Sequence, residues 1–351
     1  MNSSKELSIV IATLNEEAAI SALLSSITTQ EEVDFEVIVA DGASTDRTIA
    51  VVHEVMPDAS IISAKRGRAS QLNAGAALAN SEFILFLHAD SIISDSLALR
   101  RSLDFLKENS QHNNGKPYAG HFSVRFRCGY GGTSLAYRVL EAKAAMNRRG
   151  CSHGDQGILC PAELFMSHPG FDESCQILAE TRLADRFLEN GLWLLLPAEL
   201  STSARRFEKE GLFERQSLNA VIMVLGAAGF DNFLNDSLLY SENGRASKLH
   251  LGDALQKTAT MIASLGKVKE EQFWSFTGEY ICENVWQLPL WAAVFIDRRS
   301  DYRKHGFLKL YDRYFRGIAE SRTAARLAGR AARLWLKVLT YKKRSTRALQ
   351  A

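Results

Sequence analysis

Short apolar runs alternate with helical patterns through the first ninety positions. Leu7 to Ala12 (LSIVIA) is a β-branched run, the pattern of a strand buried on both faces. It stops at Thr13-Leu14-Asn15-Glu16, after which Ile20, Leu23, Leu24 and Ile27 recur at the spacing of one helix face. Phe35 to Ala40 (FEVIVA) predicts a second strand closed by Asp41-Gly42, and Ser44 or Thr45 is placed to cap a helix beginning near Asp46. Ala59 to Ala64 predicts a weaker third strand, Ser70 to Ala79 a helix of small residues, and Phe83 to His88 (FILFLH) a fourth strand. Strands and helices alternating in this way predict βαβ units and a mostly parallel sheet. Ligands of such sheets sit outside the carboxyl ends of the strands. Those ends carry Thr13 to Glu16, Asp41-Gly42 and His88-Ala89-Asp90.

The central third mixes predicted strands (His121 to Arg127, Trp193 to Leu196) with helices (Ser134 to Met146, Ile177 to Leu188). After Arg205-Arg206 the pattern turns helical, and no strand is expected from about 215 onward. The expected division is an α/β domain over 1–225 and a helical C-terminal extension over 226–351. A chain of 351 residues, 46% apolar and 23% charged, needs neither disulfides nor a structural metal to hold a core, and its composition excludes disorder and collagen. The five cysteines (128, 151, 160, 175 and 282) are odd in number and form no C-x-x-C pair, unlike a disulfide framework or a zinc finger. Cys151, His153, Asp155 and Cys160 match no tetrahedral zinc spacing. Met1 to Glu6 lead into no apolar signal segment, so a cytoplasmic setting is expected. The longest candidates for a span, Leu218 to Phe230 and Leu288 to Ile296, fall short of the ~20 residues that a bilayer requires.

The net charge of +2 conceals a division. Residues 298–351 hold sixteen Lys and Arg against three acids, which leaves 26 bases and 37 acids in residues 1–297. An acidic body with a basic tail predicts an anionic partner. Within the tail, Arg322, Arg326, Arg330, Arg333 and Lys337 line one helical face, while Leu327, Ala331, Leu334, Val338 and Tyr341 line another, with Trp335 nearby and Lys342-Lys343-Arg344 beyond. Such a helix suits an anionic membrane surface, here over residues 322–347. A helix packed by its apolar face onto the body competes with that reading. Nucleic acid is a weaker rival.

Several segments in order carry a family likeness: SIVIATLNEE (Ser8 to Glu17), DGASTDRT (Asp41 to Thr48), GRASQLNAG (Gly67 to Gly75), FLHADS (Phe86 to Ser91), Gly154-Asp155-Gln156, Gly170-Phe171-Asp172 and Ser203 to Phe207. Together they resemble the successive signatures of family-2 glycosyltransferases of the GT-A fold, over roughly residues 7 to 215. The GRASQLNAG and FLHAD wording resembles a soluble bacterial subgroup. The resemblance implies a Rossmann-like nucleotide-sugar domain with a mixed, mostly parallel sheet. It implies transfer of a sugar from a nucleoside-diphosphate sugar to an acceptor hydroxyl, lipid-linked in one version, with inversion and with Mg²⁺ or Mn²⁺. Asp41 would take a hydrogen bond from the base, Gly42 would let the backbone approach the nucleotide, and Thr13 and Glu16 would border base and ribose. Asp90 matches the metal-binding Asp of a D-x-D motif, and His88 replaces its first acid, an imidazole suiting Mn²⁺ better than Mg²⁺. Arg68, Asp155, Gln156, Arg205 and Arg206 fall at donor or acceptor contacts.

The general base is where the chain departs from the family. The resemblance leads to M-E-D-x-E-L, and residues 178–183 read L-A-E-T-R-L. Glu180 occupies the second acid and Ala179 the first, so Glu180 is the expected base. Its alternative is a solvent-facing helix acid beside Arg182. A nucleotidyltransferase is disfavoured because no Gly-rich, Lys-bearing loop follows the first strand. A non-catalytic nucleotide-sugar-binding or membrane-associated scaffold remains the reading from another class, kept by Ala179. The expected setting is cytoplasmic, peripheral on the inner face of the membrane. The pattern leaves the donor base, the sugar, the acceptor and the oligomeric state open.

Overall fold

The computed structural model describes residues 5–129, 134–175, 177–236, 249, 251–296 and 306–348, with side chains to 340. The chain forms two compact units, residues 1–133 with 143–204 and residues 134–142 with 205–351.

The first unit begins with β1 (Leu7–Thr13), α1 (Ile20–Thr28), β2 (Phe35–Asp41), α2 (Thr48–Val55), β3 (Ser60–Ser63), α3 (Arg68–Ala76), β4 (Phe83–His88), α4 (Ala98–His112) and β5 (Ala119–Arg127). After α5 (Leu135–Ala144), most of which belongs to the second unit, come β6 (Ile158–Pro161), α6 (Ala162–Met166), α7 (Ala179–Glu189) and β7 (Trp193–Ser203). The seven strands form one mixed sheet in the order β3-β2-β1-β4-β6-β5-β7. The first four are mutually parallel, and only β6 runs against its neighbours. The α/β fold with a mixed, mostly parallel sheet is thus the one expected.

Alternation along the strands decides what each face buries. Leu7, Ile9, Ile11, Val37, Val39, Leu85 and Leu87 turn to one side and pack with residues of α1 and α4. Val10, Ile38, Ile84, Phe86 and Ile158 turn to the other and pack with α3, α6 and α7. The α3 helix lies close on β1: a Cβ at Gly75 would stand 2.4 Å from Val10 Cγ1. The predicted strand starting at Trp193 runs on to Ser203, through Pro197. Proline is tolerated there because β7 is an edge strand and its pairing with β5 shifts register between His121 and Ser123. The capping expectation is corrected. At the start of α2 the Asp46 carboxylate accepts both N–H and O–H of Thr48, while Ser44 is bound to Asp41.

The described elements of the second unit beyond α5 are all helical: α8 (Arg205–Glu210), α9 (Leu212–Ala227), α10 (Asp231–Asp236), α11 (Leu251–Ser264), α12 (Lys267–Glu283), α13 (Gln287–Ile296), α14 (Gly306–Leu310), a π turn (Tyr311–Phe315), α15 (Arg316–Ala319) and α16 (Arg322–Ala348). Glu210 and Arg215 form a buried ion pair near its start. The α16 helix packs along α12 by a stripe of small residues. A Cβ at Gly278 would fall 1.9 Å from the Ala325 carbonyl oxygen, and one at Gly329 would fall 2.3 Å from that of Trp274. Arg333 joins the same contact by pairing with Glu270 and Glu271. The face carrying Leu327, Leu334 and Val338 is therefore turned away from α12 and is exposed. Tyr341 and Lys342-Lys343-Arg344 lie beyond the described side chains. No helix among the described residues is long and apolar enough to cross a membrane.

Candidate functional site

Two loops at the carboxyl ends of β1 and β2 are laced together. Asn15, in the left-handed region at φ 56°, donates its backbone N–H to Ser44 Oγ (2.9 Å), and its side-chain oxygen accepts Thr45 N–H (2.8 Å). Glu17 N–H reaches the Asp46 carboxylate, and Arg47 N–H returns to the Glu17 carboxylate. Burial works against the charge on Asp46, but its hydrogen bonds from Thr48 and Glu17 hold the carboxyl below its usual range. Glu16 is half-buried and gives its N–H to Thr48 Oγ1. Such reciprocal bonds fix the two loops against one another instead of leaving them to move independently.

Asp41 sits inside that lacing. Its Oδ1 accepts the hydroxyls of Thr13 (3.2 Å) and Ser44 (2.5 Å), and its Oδ2 accepts Ser44 N–H (2.9 Å). A carboxylate has about four lone-pair positions. With three filled, Asp41 is held in orientation and keeps room for one further donor. Gly42 has a reason of its own, since a Cβ there would stand 3.0 Å from the Gln71 side-chain amide. Gln71 donates to the carbonyls of both Thr13 (2.7 Å) and Ala40 (2.8 Å), tying the ends of the two strands to α3. Asn73, two residues further on, exchanges two hydrogen bonds with the backbone of Phe171. The roles of Gln71 and Asn73 were missed in the sequence, where both belong to a quoted motif but only geometry shows what they bind.

Beneath β4 a second group converges. Glu180, in the first turn of α7, is only 4% exposed. Its Oε1 lies 3.2 Å from His88 Nε2 and 3.5 Å from an Arg68 guanidinium nitrogen. Burial opposes its ionisation, but the Arg68 charge and the His88 hydrogen bond outweigh it and hold the carboxyl down at about 2. It is not a solvent-facing helix acid, and Arg182 pairs instead with Asp172. Gly154 faces this contact so closely that a Cβ would stand 2.1 Å from His88 Nε2 and 2.5 Å from Glu180 Oε1. His153 bonds Thr181 Oγ1 through Nδ1 (3.0 Å), and burial takes its imidazole down to about 4. Asp185 accepts Gly150 N–H (2.8 Å), and burial pushes its carboxyl up to about 6. These two side chains clasp the 150–157 loop to α7.

That loop carries Asp155. Its Oδ1 is shut from solvent with no hydrogen-bond partner. Burial raises its carboxyl above the usual range, with His88 and Arg68 lowering it and the nearby Asp90 charge raising it. Asp90 is half-buried, and its carbonyl accepts Arg127 (2.8 Å). Gln156 is buried and donates to the Cys151 carbonyl, a bond internal to the loop. Among the described residues no three His, Cys, Asp or Glu side chains stand close enough to hold a metal ion. Asp90 and the sheltered Asp155 suit a divalent cation by charge and oxygen chemistry, whereas His88 has turned its Nε2 to Glu180. The structure thus gathers Thr13, Asp41 and Gly42 at one group, and Arg68, His88, Asp90, Asp155 and Glu180 at another. Arg205 and Arg206 open α8 in the second unit, where Arg206 pairs with Glu210.

The fold and these groups define an α/β protein with polar and acidic residues at the carboxyl ends of its strands, where sheets of this kind bind ligands. Residues 8–140 match the family model described as Glycosyl transferase family 2. Over 107 residues the chain is 36% identical to a PGL/p-HBAD biosynthesis glycosyltransferase of Mycobacterium bovis, covering 29% of this chain and 42% of that protein. Over 105 residues it is 29% identical to a poly-beta-1,6-N-acetyl-D-glucosamine synthase of Staphylococcus epidermidis, covering 29% of this chain and 26% of that one. The matches therefore span less than half the length of these curated relatives. Among solved structures, S. aureus TarS 1-349 in complex with UDP is similar at 15% identity and TM-score 0.46, over 94% of this chain and 91% of that one. A mannosyltransferase, PcManGT from Pyrobaculum calidifontis, in complex with GDP-Man and Mn2+, is similar at 17% identity and TM-score 0.47, over 95% and 88%.

Proposed function

We propose that this chain is a GT-A glycosyltransferase that moves a sugar from a nucleoside-diphosphate sugar to an acceptor hydroxyl. The observation that carries the reading is a braced Asp41 at the end of β2, together with a buried Glu180 that meets His88 at the end of β4, in a chain whose residues 8–140 match a glycosyltransferase family. Asp41 takes the base N–H at its one remaining acceptor position, with Thr13 and Glu16 beside it. Arg68 meets the diphosphate. In the transfer step the acceptor oxygen bonds to the anomeric carbon as the bond to the diphosphate oxygen breaks, and the acceptor proton goes to Glu180. A single in-line displacement of this kind inverts the anomeric centre. Asp90 and Asp155 would hold Mg²⁺ or Mn²⁺, which when bound supplies positive charge against the leaving diphosphate.

The low ionisation range of Glu180 shapes this mechanism. A carboxyl held at about 2 is a weak base at neutral pH. Diphosphate binding would draw the Arg68 charge away from Glu180 and release its basicity only when the donor is present. The same observation favours a second reading, a nucleotide-sugar-binding protein without turnover. Thermal shift against UDP, GDP, dTDP and CDP sugars, with and without Mn²⁺, tests donor binding. Stabilisation by one nucleotide, dependent on metal and lost in Asp90→Ala, supports the donor site, and no shift from any donor in a folded protein overturns it. Turnover that disappears in Glu180→Gln while that shift persists separates the transferase from the binder.

A further inference from the structure

The second unit leaves large apolar side chains in water on three successive elements. The α13 sequence QLPLWAAVFI contains no charge, and while Leu290, Ala293 and Val294 are buried, Trp291 and Phe295 point outward. In the run from α14 through α15, Leu308 and Tyr311 turn in and Leu310 and Ile318 turn out. On α16 the stripe of small residues is spent on α12, which leaves Leu334 at 63% exposure and Trp335 at 41%. These elements are neighbours, since α13 packs on α14 and α15 leads directly into α16. Exposed apolar surface on this scale marks an interaction site.

Charge says what kind. Arg333 on α16 is paired with Glu270 and Glu271, and Arg316 on α15 with Glu320. Arg322, Arg326, Arg330 and Lys337 are exposed on α16 beside the apolar stripe and make no ion pair among the described residues. Tryptophan is divided in the same sense. Trp193, Trp274 and Trp286 are buried, and the two exposed tryptophans, Trp291 and Trp335, both lie on this unit's outward apolar positions. A second copy of the chain docked across a two-fold axis would set these cations against one another. Nucleic acid would use the cations and leave the leucines and tryptophans without a partner. A bilayer with anionic headgroups satisfies both sets: apolar side chains enter the acyl boundary, aromatic rings sit at headgroup level, and Arg and Lys meet lipid phosphates.

We propose that the outward apolar positions of α13, the α14–α15 run and α16 form a peripheral foot that seats this unit on an anionic lipid surface. This goes beyond the proposed transferase activity and does not depend on it. The test uses the full chain with vesicles of phosphatidylcholine alone and of phosphatidylcholine with roughly one part in three phosphatidylglycerol, read by co-sedimentation at low and high salt. Binding is expected to the anionic vesicles, weakening with salt. It should fall by about tenfold or more in Ile318→Glu with Leu334→Glu, and likewise in Arg326→Glu with Arg330→Glu. All four positions are exposed, and circular dichroism checks that the variants fold. Without any substitution, a lipid-borne quencher should reduce the emission of the wild-type chain, because Trp291 and Trp335 alone among the described tryptophans can reach it. Absence of binding to anionic vesicles overturns the proposal. So does binding that depends on the arginines but ignores Ile318→Glu with Leu334→Glu, which is a simple polyanion contact. A dimer in solution that Leu334→Glu dissociates, with no vesicle binding, assigns the face to self-association instead.

Discussion

His153 and Asp185 hold the 150–157 loop to α7 with opposite responses to acid, and replacing either should expose the other. His153, ordinarily near 6.5, is taken to about 4 by burial. Below pH 6.5 the unfolded chain binds a proton that the folded chain refuses, so this group's stabilisation is present above 6.5 and is lost as pH falls toward 4. Asp185, ordinarily near 3.8, is raised to about 6. Between those values the folded chain keeps a proton that the unfolded chain has released, so its penalty grows as pH rises and is relieved on acidification. At about 1.4 kcal/mol per pKa unit, going from pH 7 to 4.5 costs the fold about 2 kcal/mol through His153 and returns about 2 kcal/mol through Asp185.

The assay is urea unfolding of the wild type, His153→Gln and Asp185→Asn at pH 7 and pH 4.5. Asn keeps an acceptor for Gly150 N–H, and Gln can still bond Thr181, so both variants preserve the clasp while removing the titration. Other titrating groups are common to all three chains and cancel in the differences. The stability of the wild type relative to Asp185→Asn should rise by about 2 kcal/mol on acidification, and relative to His153→Gln it should fall by a similar amount. A difference that stays constant between the two pH values for either variant would refute the reasoning for that group. It would mean that the loop opens enough to let water reach the side chain.

Gly154→Ala places a methyl group between His88 and Glu180, where both neighbours are movable side-chain ends. It should cost only about 1 kcal/mol of stability while lowering transfer by about tenfold or more, measured as kcat beside an unchanged donor thermal shift. Gly278→Ala meets backbone instead, at the Ala325 carbonyl. It should cost about 1–3 kcal/mol or more, seen as a lower urea midpoint, because the α12 and α16 axes must part. Asp46→Ala removes the acceptor at the start of α2 and should cost about 1 kcal/mol at neutral pH. Since the Asp46 carboxyl is held below its usual range, that cost should shrink as pH falls below about 3.8, as urea unfolding at pH 7 and pH 3 would show.

Much of the first unit was readable from apolar runs. β1, β2 and β4 are buried on both faces and fall within a residue of their predicted limits. β6 was missed: four residues that continue directly into α6 carry too little period to separate strand from helix. In the second unit, sequence periodicity exposed the two faces of α16 but not which of them packs. The leucine stripe was left between a membrane surface and the body, and burial on α16 went instead to Ala325, Gly329 and Leu336, because Gly278 on α12 admits a close backbone approach. That approach depends on two glycines 51 positions apart in the chain.

The site shows the same limit in a sharper form. Two departures from the family resemblance stood apart in the sequence, His88 in place of the first acid of D-x-D and Ala179 in place of the first acid of the catalytic pair. In the structure the two positions meet in one contact, His88 Nε2 to Oε1 of Glu180, the residue next to Ala179, at 3.2 Å. An aspartate at 88 would bring a second carboxylate toward a buried Glu180, and like charges in that setting cannot both stay ionised. Histidine can donate to Glu180 whether neutral or charged, and so permits a lone glutamate to remain ionised at the start of α7. The cost of this arrangement is a carboxylate held too tightly to be basic at rest. The chemistry assigned to Glu180 therefore turns on Arg68, the more exposed of its two partners, with its side chain 41% in solvent against 17% for His88 and able to move to an arriving diphosphate.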